Sequence, residues 1–190
     1  GGEPTVHPEV LEIIEAATER NVVRVILNTN GIRIVKDDAF ADALGRLRGR
    51  LEVYLQFDSL TRDALMNLRG ADLRSVRQQA LEALEKHNIS TTLVATVKKG
   101  VNDEEVPDIV RHALEWRCVR GVTLQPVQDA GRNDGFDPKK NRVLLSDVRL
   151  LKAFLTLAWD VADDAAGEVV GAVGALAGAT GRGHVPAELE

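Results

Sequence analysis

Gly1-Gly2-Glu3-Pro4-Thr5-Val6-His7-Pro8 opens the chain, and its reading decides how the remainder is interpreted. Two glycines carry no Cβ, so the backbone there can turn sharply and lie close against a ligand. Glu3 adds a carboxylate, and Pro4 withdraws one backbone donor and fixes its own φ. Carbonyls beside a carboxylate suit a ligand with an ammonium group, which needs acceptors. A glycine turn ahead of a helix accounts for the same residues without any ligand. The segments that follow have to choose between the two.

They alternate. Residues 8–20 read as a helix, with Val10, Ile13, Ile14 and Ala17 at helical spacing and Pro8 near the first turn. Val22–Leu27 is a β-branched run of the kind buried on both faces of a parallel sheet, ending in the turn cluster Asn28-Thr29-Asn30-Gly31. A helix over about 38–47 presents Phe40, Leu44 and Leu47, and the strand Leu51–Phe57 ends at Asp58-Ser59. A short helical insertion at 61–70 leads to a longer amphipathic helix over 71–87, with Leu73, Val76, Ala80 and Leu84 inward. The strand Thr91–Val97 closes into Lys98–Asn102, and Asp103 starts a helix through Trp116 with Val106, Ile109, Val110 and Ala113 inward. A fourth strand is Gly121–Pro126. Units of about 30 residues in this order mean repeated βα units and a parallel sheet, with the functional loops at the carboxyl ends of the strands. A polar loop over 128–141 and an apolar helix over 145–161 follow. The Gly/Ala-rich stretch 163–190 is expected to be weakly structured.

Composition sets outer bounds. The chain has 190 residues, 44% hydrophobic and 28% charged, which fits one globular domain with a sizeable core. A net charge of −5 argues against a general nucleic-acid surface, so no nucleic-acid partner is expected. No apolar run approaches the roughly 20 residues that cross a bilayer, so the chain is not expected to be integral to a membrane. One cysteine, Cys118, gives no disulfide framework and is compatible with a reducing cytoplasm.

Gly1-Gly2-Glu3-Pro4-Thr5 with His7-Pro8 resembles the GGEP motif of radical S-adenosylmethionine (SAM) enzymes. Four more stretches agree in order and spacing: Leu27–Gly31, Leu55–Asp58, Lys99–Glu104 and Leu124–Val127. The resemblance covers about residues 1–150. It implies an α/β fold, a partial (βα)6 TIM-like barrel lacking its first strands, with residues 1–162 as the barrel and its helices. It further implies SAM on a [4Fe-4S] cluster, cleavage to a 5′-deoxyadenosyl radical for carbon-centred modification, an electron donor such as flavodoxin or ferredoxin, a small-molecule or lipid substrate, and a cytoplasmic location. The family holds its cluster with a CxxxCxxC loop ahead of the GGEP. A cluster needs several thiolates and this chain has one, so it is read as the C-terminal portion of a longer enzyme, inactive by itself, with no metal ligand in this chain. An inactive barrel serving as a binding module is the rival reading.

The resemblance assigns SAM contacts to Gly1, Gly2, Glu3 and Pro4, to Asn28 and Thr29 after the first strand here, to Gln56, to Thr92, and to Gln125 and Val127 near the adenine. Gln56 also stands out without it, because an amide late in an apolar strand must find partners. Asp58 and Arg132 are the candidate substrate residues, Arg132 beside a flexible glycine where a guanidinium suits a phosphate or carboxylate. Asn102 with the acids behind it reads as a helix N-cap. The four histidines have no ligand-like spacing. Within the family, Tyr54-Leu55-Gln56-Phe57-Asp58 with Leu124–Val127 and Gly131-Arg132 is similar to the group of tetraether lipid synthases and methyltransferase-like proteins. The molybdenum-cofactor cyclase branch is the runner-up, though it usually presents Ser-Leu-Asp at 56–58.

Overall fold

A computed structural model describes residues 2–127 together with Asp137 and Val143. The expectations for Gly1, Arg132, the 145–161 helix and the 163–190 stretch lie outside the described residues. A 3-10 turn, Pro4–Val6, leads into α1 (Val10–Thr18), β1 (Val25–Thr29), α2 (Ile32–Lys36), α3 (Asp38–Arg46) and β2 (Leu51–Gln56). Then come α4 (Arg62–Arg69), α5 (Arg74–Lys86), β3 (Thr91–Val97), α6 (Val106–Leu114) and β4 (Val119–Pro126). The strands form one parallel sheet in the order β1-β2-β3-β4.

Alternation along each strand separates two faces. Leu27, Leu51, Val53, Leu55, Leu93 and Ala95 point to the helices and join Phe40, Leu44, Ala80, Leu81, Leu84 and Ile109 in the main core. The opposite face carries Ile26 and Asn28 on β1, Glu52, Tyr54 and Gln56 on β2, Thr92, Val94 and Thr96 on β3, and Thr123 and Gln125 on β4. Its lower half is closed by Glu52, which accepts from Arg24 Nη1 at 2.7 Å and from Thr92 Oγ1 at 2.8 Å. Its upper half, at the carboxyl ends of the strands, is more open, with Asn28 and Gln125 exposed.

Three sequence expectations change. The first strand starts at Val25 and not at Val22, because the ladder begins where Val25 aligns with Leu51. Val23 is 96% exposed, and Ile26 is half-exposed on the open face, so β1 is not buried on both sides. In α5 the buried positions are Arg77, Ala80, Leu81 and Leu84, which places a guanidinium in the apolar register where Val76 was expected. Asn102 caps no helix: α6 begins at Val106, and the Asn102 side chain is buried in the preceding loop. Its Nδ2 donates to the carbonyls of Asp58 and Thr96, each at 2.8 Å, and its Oδ1 accepts from Lys98 N at 2.9 Å.

Gly31, the residue that turns the chain from β1 into α2, has φ +79°. A Cβ there would stand 2.8 Å from Leu55 Cδ1 and 3.1 Å from Ala80 Cβ. Gly70 has φ +73° but open space around it. Gly31→Ala and Gly70→Ala therefore share the left-handed penalty of about 1–2 kcal/mol. Gly31→Ala should lose about 1–3 kcal/mol more through overpacking. Denaturant unfolding of the two variants measures the difference, and equal losses would show that Leu55 and Ala80 yield without cost.

Candidate functional site at the carboxyl ends of the strands

The opening loop is tied to the end of β1 by one carboxylate. Glu3 Oε1 accepts from Thr5 N at 3.1 Å, Thr5 Oγ1 at 2.6 Å and Thr29 Oγ1 at 2.7 Å, and Oε2 accepts from Asn30 N at 2.7 Å. Arg33 of α2 adds a second tie, Nη1 to the Thr5 carbonyl at 2.7 Å. Partial burial works to raise the Glu3 carboxyl, but the donors from Thr5, Asn30 and Thr29 outweigh it and hold it below its ordinary value of 4.5. Glu3 is thus a strut that ties the opening loop to the end of β1. Its Oε1 is saturated, and only Oε2 and the loop carbonyls keep acceptor capacity.

The expected SAM contacts divide accordingly. Thr29 is buried on the helix face, where its hydroxyl donates to Glu3 and accepts from Gly31 N at 3.2 Å, so it supports the loop and does not reach the open face. Thr92 is buried near the amino end of β3 with its hydroxyl given to Glu52, which removes it from the strand-end rim. Pro4 is exposed at the first position of the 3-10 turn, where its missing N–H costs nothing. Gly2, Asn28, Gln56, Gln125 and Val127 remain at or near the rim with at least partial exposure. Gly2 has no positive φ, and among the described residues nothing lies within 4 Å of an added Cβ, so no described neighbour demands a glycine there.

Asp58, a candidate substrate residue, is fully buried at φ +66°, two residues past the end of β2, with its carboxylate engaged by protein groups. Arg69, the last residue of α4, grips it with Nε to Oδ2 at 2.7 Å and Nη2 to Oδ1 at 2.8 Å. Oδ1 also accepts from Thr96 N at 3.1 Å, and Arg77 Nη2 stands 3.7 Å from Oδ2. Arg77 spans the ends of β1 and β2, donating from Nη1 to the Asn30 carbonyl at 2.9 Å and from Nε to the Phe57 carbonyl at 3.5 Å. Burial, and then the like charge of Arg69, bring Arg77 down to about 10 against the opposing pull of Asp58. Two guanidiniums on one carboxylate leave an excess positive charge beneath the rim.

Arg69 also reaches the open face. Its Nη2 donates to Thr96 Oγ1 at 2.9 Å. Because a guanidinium can only donate, the Gln56 amide is assigned with its oxygen on the Arg69 side, 3.0 Å from Nη1 and 2.8 Å from Nη2. Glu105 ties the neighbouring loops together, accepting from Ser59 Oγ at 2.6 Å, Leu60 N at 3.1 Å and Thr61 Oγ1 at 2.7 Å. Sequence reasoning missed Arg69, Arg77 and Glu105. For Arg77 a signal existed, since it falls at i−3, i−4 and i−7 from Ala80, Leu81 and Leu84. For Arg69 and Glu105 there was none, because their partners lie 11 and 46 residues away along the chain.

The residues described do not fit an iron–sulfur cluster. Cys118 is buried just ahead of β4, at the end of the sheet opposite the rim, and its thiol is pushed up to about 12 by burial and by the Glu85 carboxylate. That is the reverse of what a thiolate ligand requires. Among the described residues no group of three or more His, Cys, Asp or Glu could hold a metal ion.

Two substitutions test these assignments. Asp58→Asn should cost about 3–5 kcal/mol, because it takes the shared counter-charge from the buried Arg77 and the partly exposed Arg69. A chemical melt that shifts by much less would mean that solvent reaches the pair. For Glu3, a folded-state pKa below 4.5 means that its contribution is complete above that pH and fades as the pH falls through the depressed value. The stability gap between wild type and Glu3→Gln should therefore be full at about pH 7 and narrow by about pH 3. A gap independent of pH would show that the charge of Glu3 is not what holds the loop.

A profile of the Radical SAM superfamily matches residues 1–113. The chain is 36% identical over 149 residues to 7,8-dihydro-6-hydroxymethylpterin dimethyltransferase of Methanocaldococcus jannaschii, a match covering 77% of this chain and 29% of that protein. It is 29% identical over 133 residues to GTP 3′,8-cyclase of Chlorobaculum tepidum, covering 68% of this chain and 39% of the cyclase. The chain thus spans well under half the length of these curated relatives. The crystal structure of Streptococcus suis SuiB bound to S-adenosylmethionine superposes with a TM-score of 0.69 at 17% identity, over 82% of this chain and 34% of SuiB, and shares the fold. The parallel sheet, the loop built on Glu3 and the profile over residues 1–113 agree: the chain belongs to the radical SAM superfamily.

Proposed function

We propose that this chain supplies the SAM-holding half of a radical SAM enzyme, with the methionine end of SAM over Gly2 and the rest of the cofactor along the strand ends from Asn28 to Val127. The family uses SAM with a [4Fe-4S] cluster, which together supply one-electron cleavage of the sulfonium for modification of an unactivated carbon. The cluster ligands come from outside the described residues, since Cys118 faces the wrong end of the sheet. The observation that carries the reading is Gly2: a glycine required by neither φ nor packing among the described residues, in a loop tied down by Glu3 and Arg33. Its missing side chain leaves room for a ligand, and the loop carbonyls with Glu3 Oε2 offer acceptors to an ammonium. Asn28, Gln56 and Gln125 then provide uncharged polar groups to orient the nucleoside. Pro4 and Val127 bound this surface.

For the substrate we favour a small fused pyrimidinone heterocycle, because a pterin and a guanine nucleotide figure in the names of two relatives. A lipid is the alternative that a substrate screen would separate. No described helix is long and apolar enough to cross a membrane. The proposed setting is the cytoplasm, with a flavodoxin or ferredoxin as electron donor.

Gly49 provides an internal control, since an added Cβ there also meets nothing within 4 Å. In the cluster-loaded enzyme that includes this chain, Gly2→Val should weaken SAM binding about tenfold or more, the equivalent of about 1.4 kcal/mol, while Gly49→Val leaves it unchanged. Equilibrium dialysis with labelled SAM, alongside thermal melts, makes the comparison. Unaltered affinity in a folded Gly2→Val protein would reduce the opening stretch to a turn.

A further inference from the structure

We propose that Arg69 is a positioning residue that sets the hydrogen-bond polarity of the rim, turning both Gln56 and Thr96 into donors toward the cofactor. The inference rests on the SAM-binding reading above and adds what the rim demands of its ligand.

An amide has an acceptor end and a donor end, and a hydroxyl both gives and accepts, so Gln56 and Thr96 alone could present either polarity. Arg69 can only donate. Its plane is not free: Asp58, fully buried, holds Nε and Nη2 in a two-point grip at 2.7 and 2.8 Å. The helix that carries it stops at once, because Gly70 follows in the left-handed conformation and its N–H closes on the Met66 carbonyl. The guanidinium is therefore fixed from below, and its remaining N–H groups meet the two open-face residues at the ends of β2 and β3.

Both respond in the same sense. The Gln56 amide end lies 3.0 and 2.8 Å from Nη1 and Nη2, and since both are donors the end facing them is assigned as the oxygen, which turns the amide nitrogen away from the guanidinium. Thr96 Oγ1, 2.9 Å from Nη2, shares with the Gln56 oxygen the one Nη2 N–H that Asp58 leaves, and as an acceptor there it keeps its own proton to be given elsewhere. The Arg69 side chain keeps 27% of its surface exposed, so the cluster sits at the rim and not in the core. Two donors side by side, over an excess of positive charge from Arg69 and Arg77 against Asp58, fit an oxygen acceptor on the ligand and reject a donor. The insertion helix α4 thus serves the site through its last residue.

The test is a double-mutant cycle on SAM affinity in the cluster-loaded enzyme, using Gln56→Met, Arg69→Lys and the pair. Lysine keeps a cation against Asp58, which protects the fold, but a single ammonium cannot hold both the carboxylate and the Gln56 oxygen. Each single change should weaken SAM about tenfold, and the pair about tenfold and not a hundredfold, because the two residues act as one unit. Gln56→Glu should keep the contact with Arg69, with an unchanged or raised melting temperature, and still lose SAM affinity, since a carboxylate cannot donate. Wild-type affinity in folded Arg69→Lys or Gln56→Glu, or losses that multiply in the pair, would overturn the role given to Arg69 alone. A wild-type enzyme that binds no SAM would remove the SAM-binding reading, and this inference with it.

Discussion

A single buried carboxylate governs the upper end of this sheet. Asp58 is placed by a left-handed backbone at the end of β2, and around it gather Arg69 from α4, Arg77 from α5 and the Thr96 amide from β3. Asn102 from the next loop then fastens the Asp58 carbonyl. Four elements that share no local sequence signal are brought to one point by the need to neutralise a charge removed from water. Hydrophobic burial explains why the helices cover one face of the sheet. It does not explain which residues stand at the rim, and Asp58 does.

The same logic recurs at β1 with a partly exposed group. Glu3 collects donors from its own turn and from Thr29 and Asn30, so the opening loop is fixed to the strand end before any ligand arrives. Preorganisation of this kind shifts the cost of ordering a binding loop from the binding step to folding. It also explains why Thr29 is buried while Asn28, one residue earlier, is exposed: strand alternation sends the first to the strut and the second to the open face.

Much of the fold was legible because it rests on periodicity. Four strands, their parallel order and most helix bounds follow from apolar runs alternating with amphipathic segments, and β3 is found at the residues its sequence suggests. The site was less legible. GGEP, Gln56 and the strand-end turns are local signals and were found. Asn102 reads as a helix cap because an Asn before a helix has that familiar local use, and its tertiary contacts override it; the burial of Asp58 between two arginines is likewise invisible to local spacing. Arg69 and Glu105 act only through residues distant in sequence, and no spacing rule reports such partnerships.

Glu105 has a kinetic meaning as well. By holding Ser59, Leu60 N and Thr61, it joins the loop before α4 to the loop before α6. A surface loop of this kind would ordinarily fluctuate on its own. Here the two connections must open together or not at all, so the rim behaves as one stiff lip between β2 and β3. Whatever shape change the mouth undergoes then falls to its β1 and β4 sides, which lie outside the Glu105 tie.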